Sequence, residues 1–317
     1  MSRIAVTPAF FGRHSILREE LLARYPDVTF KEDDRILAGE DFVDFLRGHD
    51  KVIMSIDKLT DDVLAAVPEL KVVAKHGVGL DSLDLEAMAR RGVELGWRGG
   101  VNRRAVAELA LSFIITVLRN LPLANRDLCQ GVWERRMGSL LTGKTVGIVG
   151  CGFIGKELVL LLQPFDCKIL VNDIRDYPDF YKAHDIETVG LEELLERSDV
   201  VSLHTPLDET TRNILSPKRL ALMKPTAILI NTARGGLVDE AVLKAALKEG
   251  RLWGAAFDAF AVEPLTDTEL YNLPNFWATP HMGANAEEVV LAMGRSAIAG
   301  LDEHRPPGPD WLDAWPS

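Results

Sequence analysis

The segment "KTVGIVGCGFIGKELVLLL" (144–162) narrows what this chain can fold into more than any other. An apolar, strand-like run leads into Gly150-x-Gly152-x-x-Gly155, and a helical pattern follows without a break. This is the opening of a βαβ unit built to take a dinucleotide. The first glycine permits the tight turn, the second lets a pyrophosphate approach the backbone, and the third lets helix and strand pack closely. The helix N-terminus then offers amide N–H groups to phosphate. The next apolar run, "KILVND" (168–173), ends in Asp173, 18 residues after Gly155. A carboxylate there accepts hydrogen bonds from the adenosine ribose hydroxyls. "ND" is also turn chemistry, but strand, glycines and spacing agree on the dinucleotide. Asp173 would repel a 2′-phosphate, which favours NAD over NADP, although Arg175 could receive one. Cys151 reads as a small filler of the loop.

Short apolar runs alternate with helical patterns along most of the chain. Residues 3–6, 28–30, 51–54, 72–75 and 93–95 form one strand series, with helical spacing in 59–67 and 83–91. A second series runs through 144–150, 168–173, 199–204, 227–232, 252–258 and 276–279, a sheet of about six strands. Such alternation predicts parallel sheets covered by helices on both faces. The fold class is α/β, with two doubly wound domains: a Rossmann dinucleotide-binding domain and a discontinuous, flavodoxin-like substrate domain. Residues 101–121 read as one long apolar helix bridging the two. Residues 285–304 read as a helix returning to the first domain. The expected boundaries are 1–99 with 286–317 for the substrate domain and 100–285 for the NAD-binding domain. The Pro-rich end, 305–317, reads as irregular.

The totals limit the partners. A net charge of −11 disfavours nucleic acid and anionic membranes, which need clustered Lys and Arg. The N-terminus has no apolar signal core and no apolar run is long enough for a bilayer. Cys129, Cys151 and Cys167 are scattered, so neither a disulfide framework nor a metal site is expected. A reducing cytoplasm is the expected location.

Strand ends of the second series carry reactive side chains. Arg234 follows the strand 227–232, Glu263 follows 252–258 and His281 follows 276–279. Open α/β sheets bind ligands outside the carboxyl ends of their strands, so all three fall on the cofactor's edge. Hydride transfer to a 2-oxo acid needs a cation for the carboxylate, a proton donor for the carbonyl oxygen, and a group that keeps the donor charged. Arginine binds a carboxylate bidentately, histidine titrates near neutral pH, and a neighbouring carboxylate orients it. Singly, these residues could be a turn arginine, a solvated glutamate and a capping histidine. Their joint placement favours the chemistry.

The chain resembles the D-isomer-specific 2-hydroxyacid dehydrogenases, within them the phosphoglycerate dehydrogenase-like branch. The resemblance rests on "KHGVGLDSLDLEAMARRGV" (75–93), "AVAELAL" (105–111), "GKTVGIVGCGFIG" (143–155), "VSLHTPLDETTRNIL" (201–215), "INTARGGLVDE" (230–240), "AAFDAFAVEP" (255–264) and "TPHMGA" (279–284), in the family's order. It implies an NAD-dependent enzyme with Arg234, Glu263 and His281 as catalytic residues. Gly150, Gly152, Phe153, Ile154, Gly155, Asp173, His204, Thr205, Pro206, Thr232, Ala233, Asp258 and Gly283 would line the dinucleotide site, with Asp258 facing the nicotinamide carboxamide. Ser55, Val78, Gly79 and Arg234 would hold the small 2-oxo or 2-hydroxy acid, Val78 and Gly79 through backbone amides. The resemblance also implies a homodimer formed through the cofactor domains. The regulatory extension of long phosphoglycerate dehydrogenases is not expected.

Two departures bear on substrate. Trp97-Arg98-Gly99-Gly100 stands where the family usually reads Asn-Thr-Pro-Gly, and Met54-Ser55-Ile56-Asp57 stands where a phosphate-holding arginine often opens Arg-Ser-x-Thr. Met54 and Ile56 are expected to offer apolar contact and Asp57 to repel phosphate, so an unphosphorylated substrate is expected. Lys58, Arg98, Arg103, Arg135 and Arg136 could restore the lost cation. The alternatives are a D-3-phosphoglycerate dehydrogenase, a dinucleotide-sensing binding protein of the same fold, and a dehydrogenase of a one-centre oxyanion.

Overall fold

The computed structural model of the chain describes residues 2–308. The irregular end expected over 305–317 therefore lies outside the described residues from 309 onward. The chain divides into two compact units, Met1–Asn102 with Asn285–Ser317, and Arg103–Ala284.

The first unit runs β1 (Ile4–Val6), α1 (Ala9–Arg13), α2 (Ser15–Arg24), β2 (Val28–Phe30), α3 (Gly39–Leu46), β3 (Lys51–Met54), α4 (Asp61–Ala66), β4 (Val72–Lys75), α5 (Leu85–Arg91) and β5 (Glu94–Gly96). The sheet order is β2-β1-β3-β4-β5, all parallel. Successive strand residues turn to opposite faces. Ile4, Val6, Ile53 and Ala74 pack with Leu17 and Leu21 of α2 on one face. Ala5, Val52, Met54 and Val73 pack with Phe42, Leu46, Leu64 and Met88 from α3, α4 and α5 on the other. Both faces are covered, so these strands read as continuous apolar runs.

The second unit runs α6 (Arg103–Leu118), α7 (Leu121–Cys129), β6 (Thr145–Val149), α8 (Phe153–Leu162), β7 (Lys168–Asn172), α9 (Pro178–Ala183), β8 (Glu187–Thr188), α10 (Leu191–Arg197), β9 (Val200–Leu203), α11 (Pro217–Leu220), β10 (Ile228–Asn231), α12 (Glu240–Lys248), β11 (Gly254–Phe257), α13 (Thr268–Tyr271) and β12 (Phe276–Ala278). Its sheet order is β12-β11-β10-β9-β6-β7-β8, again parallel. The order reverses between β6 and β9, which opens a crevice at their carboxyl ends. Helices α6 and α8 cover one face through Ile114, Val117, Leu158 and Val159. Helices α10, α11 and α12 cover the other through Leu194, Leu220 and Leu243.

After the second unit, α14 (Glu287–Gly300) packs in the first through Ala297 and Ile298. Its last residue lies so close to β5 that a Cβ on Gly96 would stand 2.0 Å from the Gly300 carbonyl oxygen.

The second sheet has seven strands rather than six. The addition, β8, is two residues long, and a polar Glu-Thr pair carries no apolar signal. The expected single helix over 101–121 is two. Asn120 adopts a left-handed conformation, φ 52°, and α7 restarts with Pro122 in its first turn. Proline has no N–H for the helix ladder and clashes with the preceding turn, so the long helix ends before it. No single helix among the described residues is long and apolar enough to cross a membrane.

Candidate active site

The glycine turn joins β6 to α8. Gly150 has φ +94°, and a Cβ there would stand 2.8 Å from the His204 backbone at the end of β9. A Cβ on Gly155 would stand 2.2 Å from the Gly150 carbonyl oxygen, so α8 can pack on β6 only without one. Gly152 differs: a Cβ there would meet nothing within 4 Å. The turn thus leaves open space at the start of α8, where Gly152 is the N-cap and gives no side-chain cap. Phe153 and Ile154 form the first turn, partly exposed. At the end of β7, Asp173 accepts hydrogen bonds from the Cys151 amide (2.5 Å) and the Arg175 amide (2.8 Å). The carboxylate is therefore tied to the glycine turn and also forms the local turn that "ND" suggested. Burial pushes the Cys151 thiol up to about 12, so it stays protonated.

The neighbouring strand ends carry unpaired polar atoms. Beyond β9, His204 Nε2 lies 2.8 Å from Ser202 Oγ. Burial pushes this imidazole down to about 4, so it is neutral near pH 7. His204 Nδ1, Thr205 Oγ1 and, after β10, Thr232 Oγ1 are buried with no hydrogen-bond partner. Each unpaired buried polar atom costs about 1–3 kcal/mol. His204 and Thr205 stand beside the glycine turn and Thr232 follows the next strand along the same sheet edge, a set that suits a polar, phosphate-bearing ligand. Pro206 is exposed and Ala233 buried beside them. The residues present fit a dinucleotide.

Three loops carry the expected catalytic side chains. After β10, Asn231 organises the turn holding Arg234: its Nδ2 donates to the Arg234 carbonyl (2.8 Å), and its Oδ1 accepts from the Ala233 amide (3.1 Å). The Arg234 guanidinium donates to the Ala233 carbonyl at 2.8 Å. This turn lies against the loop after β11, where a Cβ on Gly235 would stand 1.8 Å from the Phe260 carbonyl carbon. In that second loop, Glu263 Oε1 accepts from the Phe260 amide at 3.0 Å. Both Glu263 oxygens reach His281 Nδ1, at 3.0 and 2.9 Å. Both side chains are partly exposed, at 49% for His281 and 39% for Glu263, so the pair is open to a substrate.

His281 sits in a left-handed conformation, φ 51°. Asp258, buried at the end of β11, holds this turn. One oxygen accepts from Thr279 Oγ1 (2.5 Å) and the Met282 amide (2.8 Å), and the other from the Gly283 amide (2.8 Å). The resemblance sets Asp258 against a nicotinamide carboxamide and implies nothing of these bonds. They join residues 21 to 25 apart, which no local pattern reports.

Ser55, Val78 and Gly79, expected to hold substrate together with Arg234 of the second unit, belong to the first unit. Ser55 follows β3, and its carbonyl accepts from Lys75 Nζ and, at 3.2 Å, from Ser82 Oγ. Val78 and Gly79 lie in the turn after β4, opened by Gly77 at φ +108°. Trp97, the first of the departing residues, donates through Nε1 to the Val78 carbonyl at 3.0 Å and so pins that turn. Two expectations are corrected. Met54 is fully buried in the core, because strand alternation turns it toward the helices. Asp57 is also buried, its carboxylate accepting from Thr7 Oγ1 and from the Leu37 amide at 2.8 Å. It ties a loop and does not stand as an open anion. Ile56 remains exposed, at 61%. Arg103 pairs with Glu157 and Arg136 with Asp127, whereas Lys58, Arg98 and Arg135 are exposed. No group of three metal-ligating side chains occurs among the described residues.

The chain is similar to known proteins. The family model described as D-isomer specific 2-hydroxyacid dehydrogenase, NAD binding domain, matches residues 111–283. The chain is 37% identical over 282 residues to a D-3-phosphoglycerate dehydrogenase of Methanocaldococcus jannaschii, covering 88% of this chain but 54% of that one. It thus spans about half the length of that relative. It is 36% identical over 252 residues to a hydroxypyruvate reductase of Thermotoga maritima, covering 77% of this chain and 80% of that one. A crystal structure of a Thermus thermophilus protein superposes with a TM-score of 0.82 at 32% identity, covering 97% of this chain and 99% of that one.

Proposed function

Because the chain belongs to the D-isomer specific 2-hydroxyacid dehydrogenase family and carries its NAD-binding domain, we propose that it interconverts a small D-2-hydroxy acid and the 2-oxo acid. The contact of His281 Nδ1 with both Glu263 oxygens carries this reading. A carboxylate can only accept, so the shared hydrogen belongs to Nδ1 and Nε2 is left for the substrate. In the reducing direction His281 gives the Nε2 proton to the carbonyl oxygen as the carbonyl carbon becomes tetrahedral. In the oxidising direction it takes the hydroxyl proton back. Glu263 holds the ring in orientation and stabilises the charged imidazole. Arg234 binds the carboxylate through its fork and polarises the carbonyl. Ser55 and the Val78 and Gly79 amides add to the hold on the substrate. Bound NAD(H) supplies or accepts the hydride. Gly150, Gly152 and Gly155 shape its pyrophosphate site, with Phe153, Ile154, Asp173, Thr205, Thr232 and their neighbours around it.

Asp173 favours NAD over NADP by charge. The substrate reading is an unphosphorylated 2-oxo acid with a short or moderately apolar side chain. The usual phosphate-holding arginine is replaced by a buried Met54, and the exposed neighbour is the apolar Ile56. A homodimer in the cytoplasm completes the proposal. The support for the dimer is the stretch 121–140, where α7 buries no residue and Trp133 (79%), Met137 (85%) and Leu140 (67%) are exposed. Apolar side chains gathered like this mark an interaction surface. The test is kcat/KM for glyoxylate, hydroxypyruvate, phosphohydroxypyruvate and a branched 2-oxo acid, with NADH and NADPH in parallel, beside sedimentation of the purified chain. The expected result is a dimer that turns over unphosphorylated acids with NADH. Preference for phosphohydroxypyruvate, equal use of NADPH, or a monomer would each overturn the corresponding part.

A further inference from the structure

Glu240 opens α12, after the N-cap Asp239, which accepts from the Ala241 and Val242 amides. An acid in a first helical turn ordinarily just faces the positive end of the helix dipole. Glu240 does something further: its Oε1 accepts a hydrogen bond from the Ala261 amide, 21 residues away, at 2.7 Å. Ala261 sits between Phe260, whose amide is bound by Glu263, and Glu263 itself. Successive amides of the Glu263 loop are therefore held by two different carboxylates.

The contact is one rung of a series. Lys244 and Lys248 follow Glu240 at intervals of four, on the same face of α12. Lys244 Nζ reaches Asp267 (2.7 Å) and Glu269 (3.1 Å), and Lys248 Nζ reaches Glu269 (2.5 Å). This face binds the chain from Ala261 to Glu269. The lysine rungs join partly exposed charges and contribute little. The Glu240 rung is exposed at its Ala261 end, but Glu240 itself is half-buried, and it is the only rung that holds a backbone amide beside Glu263 among the three. Burial raises the Glu240 carboxyl; the Ala261 amide draws it back, while the Asp267, Asp239 and Glu263 charges raise it further. A neutral acceptor can take over the bond without that repulsion.

We propose that Glu240 is a positioning residue for the proposed reaction: through the Ala261 amide it fixes the loop that presents Glu263 to His281. This rests on the reading of Glu263 as the partner that orients His281. Removing the bond lets the segment 261–263 move, with its own glutamate contacts and the Gly235–Phe260 packing left to hold it. A shift of about 1 Å at a catalytic group costs up to about 100-fold in rate.

The experiment compares Glu240→Ala and Glu240→Gln with the wild-type chain. It reads kcat and KM for the best 2-oxo acid of the panel, NADH affinity by fluorescence, the melting temperature, and amide exchange over 259–263. For Glu240→Ala the expected result is kcat lower by about 10-fold or more, KM and NADH affinity within twofold, and faster exchange at 260–263. Glu240→Gln should restore both kcat and slow exchange, because its side-chain oxygen still accepts. Unchanged exchange in Glu240→Ala, or faster exchange with kcat within twofold of wild type, overturns the proposal. So does a glutamine variant as impaired as the alanine one. An inactive wild type whose exchange still responds to the substitution counts against the dehydrogenase reading and supports the clamp.

Discussion

His281 holds a left-handed conformation that costs a non-glycine residue roughly 1–2 kcal/mol. The Thr279 hydroxyl and the Met282 and Gly283 amides offset that cost by converging on one buried carboxylate, Asp258. The ring is thereby held with Nδ1 against Glu263, and its other nitrogen is left for chemistry. His281→Ala should lower kcat by roughly 10²–10⁴-fold, the usual scale for a general acid–base group. NADH affinity should persist, because neither the glycine turn nor Asp173 touches this residue in the structure's hydrogen bonds. Single-turnover kinetics and a fluorescence titration on the same preparation check both parts. Near-wild-type turnover, with chemistry shown to be rate-limiting, would make the histidine a structural one.

At the scale of elements, the β6–α8 junction separates glycines needed by the fold from the one needed by the ligand. Gly155 has the Gly150 carbonyl 2.2 Å from where a Cβ would stand, and Gly152 has nothing within 4 Å. An added methyl at 155 must push helix from strand, an overpacking cost of about 1–3 kcal/mol. At 152 it enters open space at the head of α8, with an ordinary φ of −75°. Gly152→Ala should therefore melt within a few degrees of the wild type and bind NADH at least about 10-fold more weakly, whereas Gly155→Ala should lose stability as well. A thermal melt beside an NADH titration decides it. If Gly152→Ala bound NADH normally, the pyrophosphate would have to lie elsewhere.

For the whole molecule, one described histidine in each unit is pushed below its ordinary titration by burial. His76, at the end of β4 between the Phe10 and Phe11 rings, is pushed down to about 4 by burial and then by the Lys75 charge. His204 in the second unit is pushed down to about 4 by burial. An unfolded histidine titrates near 6.5. Above that pH neither state holds the proton, and the stability of the neutral, buried form is fully present. As pH falls from 6.5 toward 4, the unfolded chain takes up protons that the folded one refuses, so stability declines by up to roughly 3 kcal/mol per histidine. Below about 4 both states are protonated and this contribution stops changing. The urea midpoint should be clearly lower at pH 5 than at pH 7.5. Equal midpoints would mean that these imidazoles are accessible in solution.

What the sequence by itself determined is what short-range patterns carry. Residues 145–155 encode strand, turn and helix by periodicity and by three glycines whose roles depend on near neighbours. The other strand runs are legible because sheets buried on both faces require unbroken apolar stretches. Arg234, Glu263 and His281 stand out because each follows a strand whose end faces the crevice. Only the tertiary structure decided the rest. It placed β8, too short and polar to show as a strand, on the edge of the second sheet. It turned Met54 into the core and Asp57 onto Thr7, although both stand in a segment that looks substrate-facing. It joined Asp258 to the His281 turn and Glu240 to the Glu263 loop. Each of those bonds spans more than twenty residues, and strand order, which no local spacing encodes, decides which loops meet at one sheet edge.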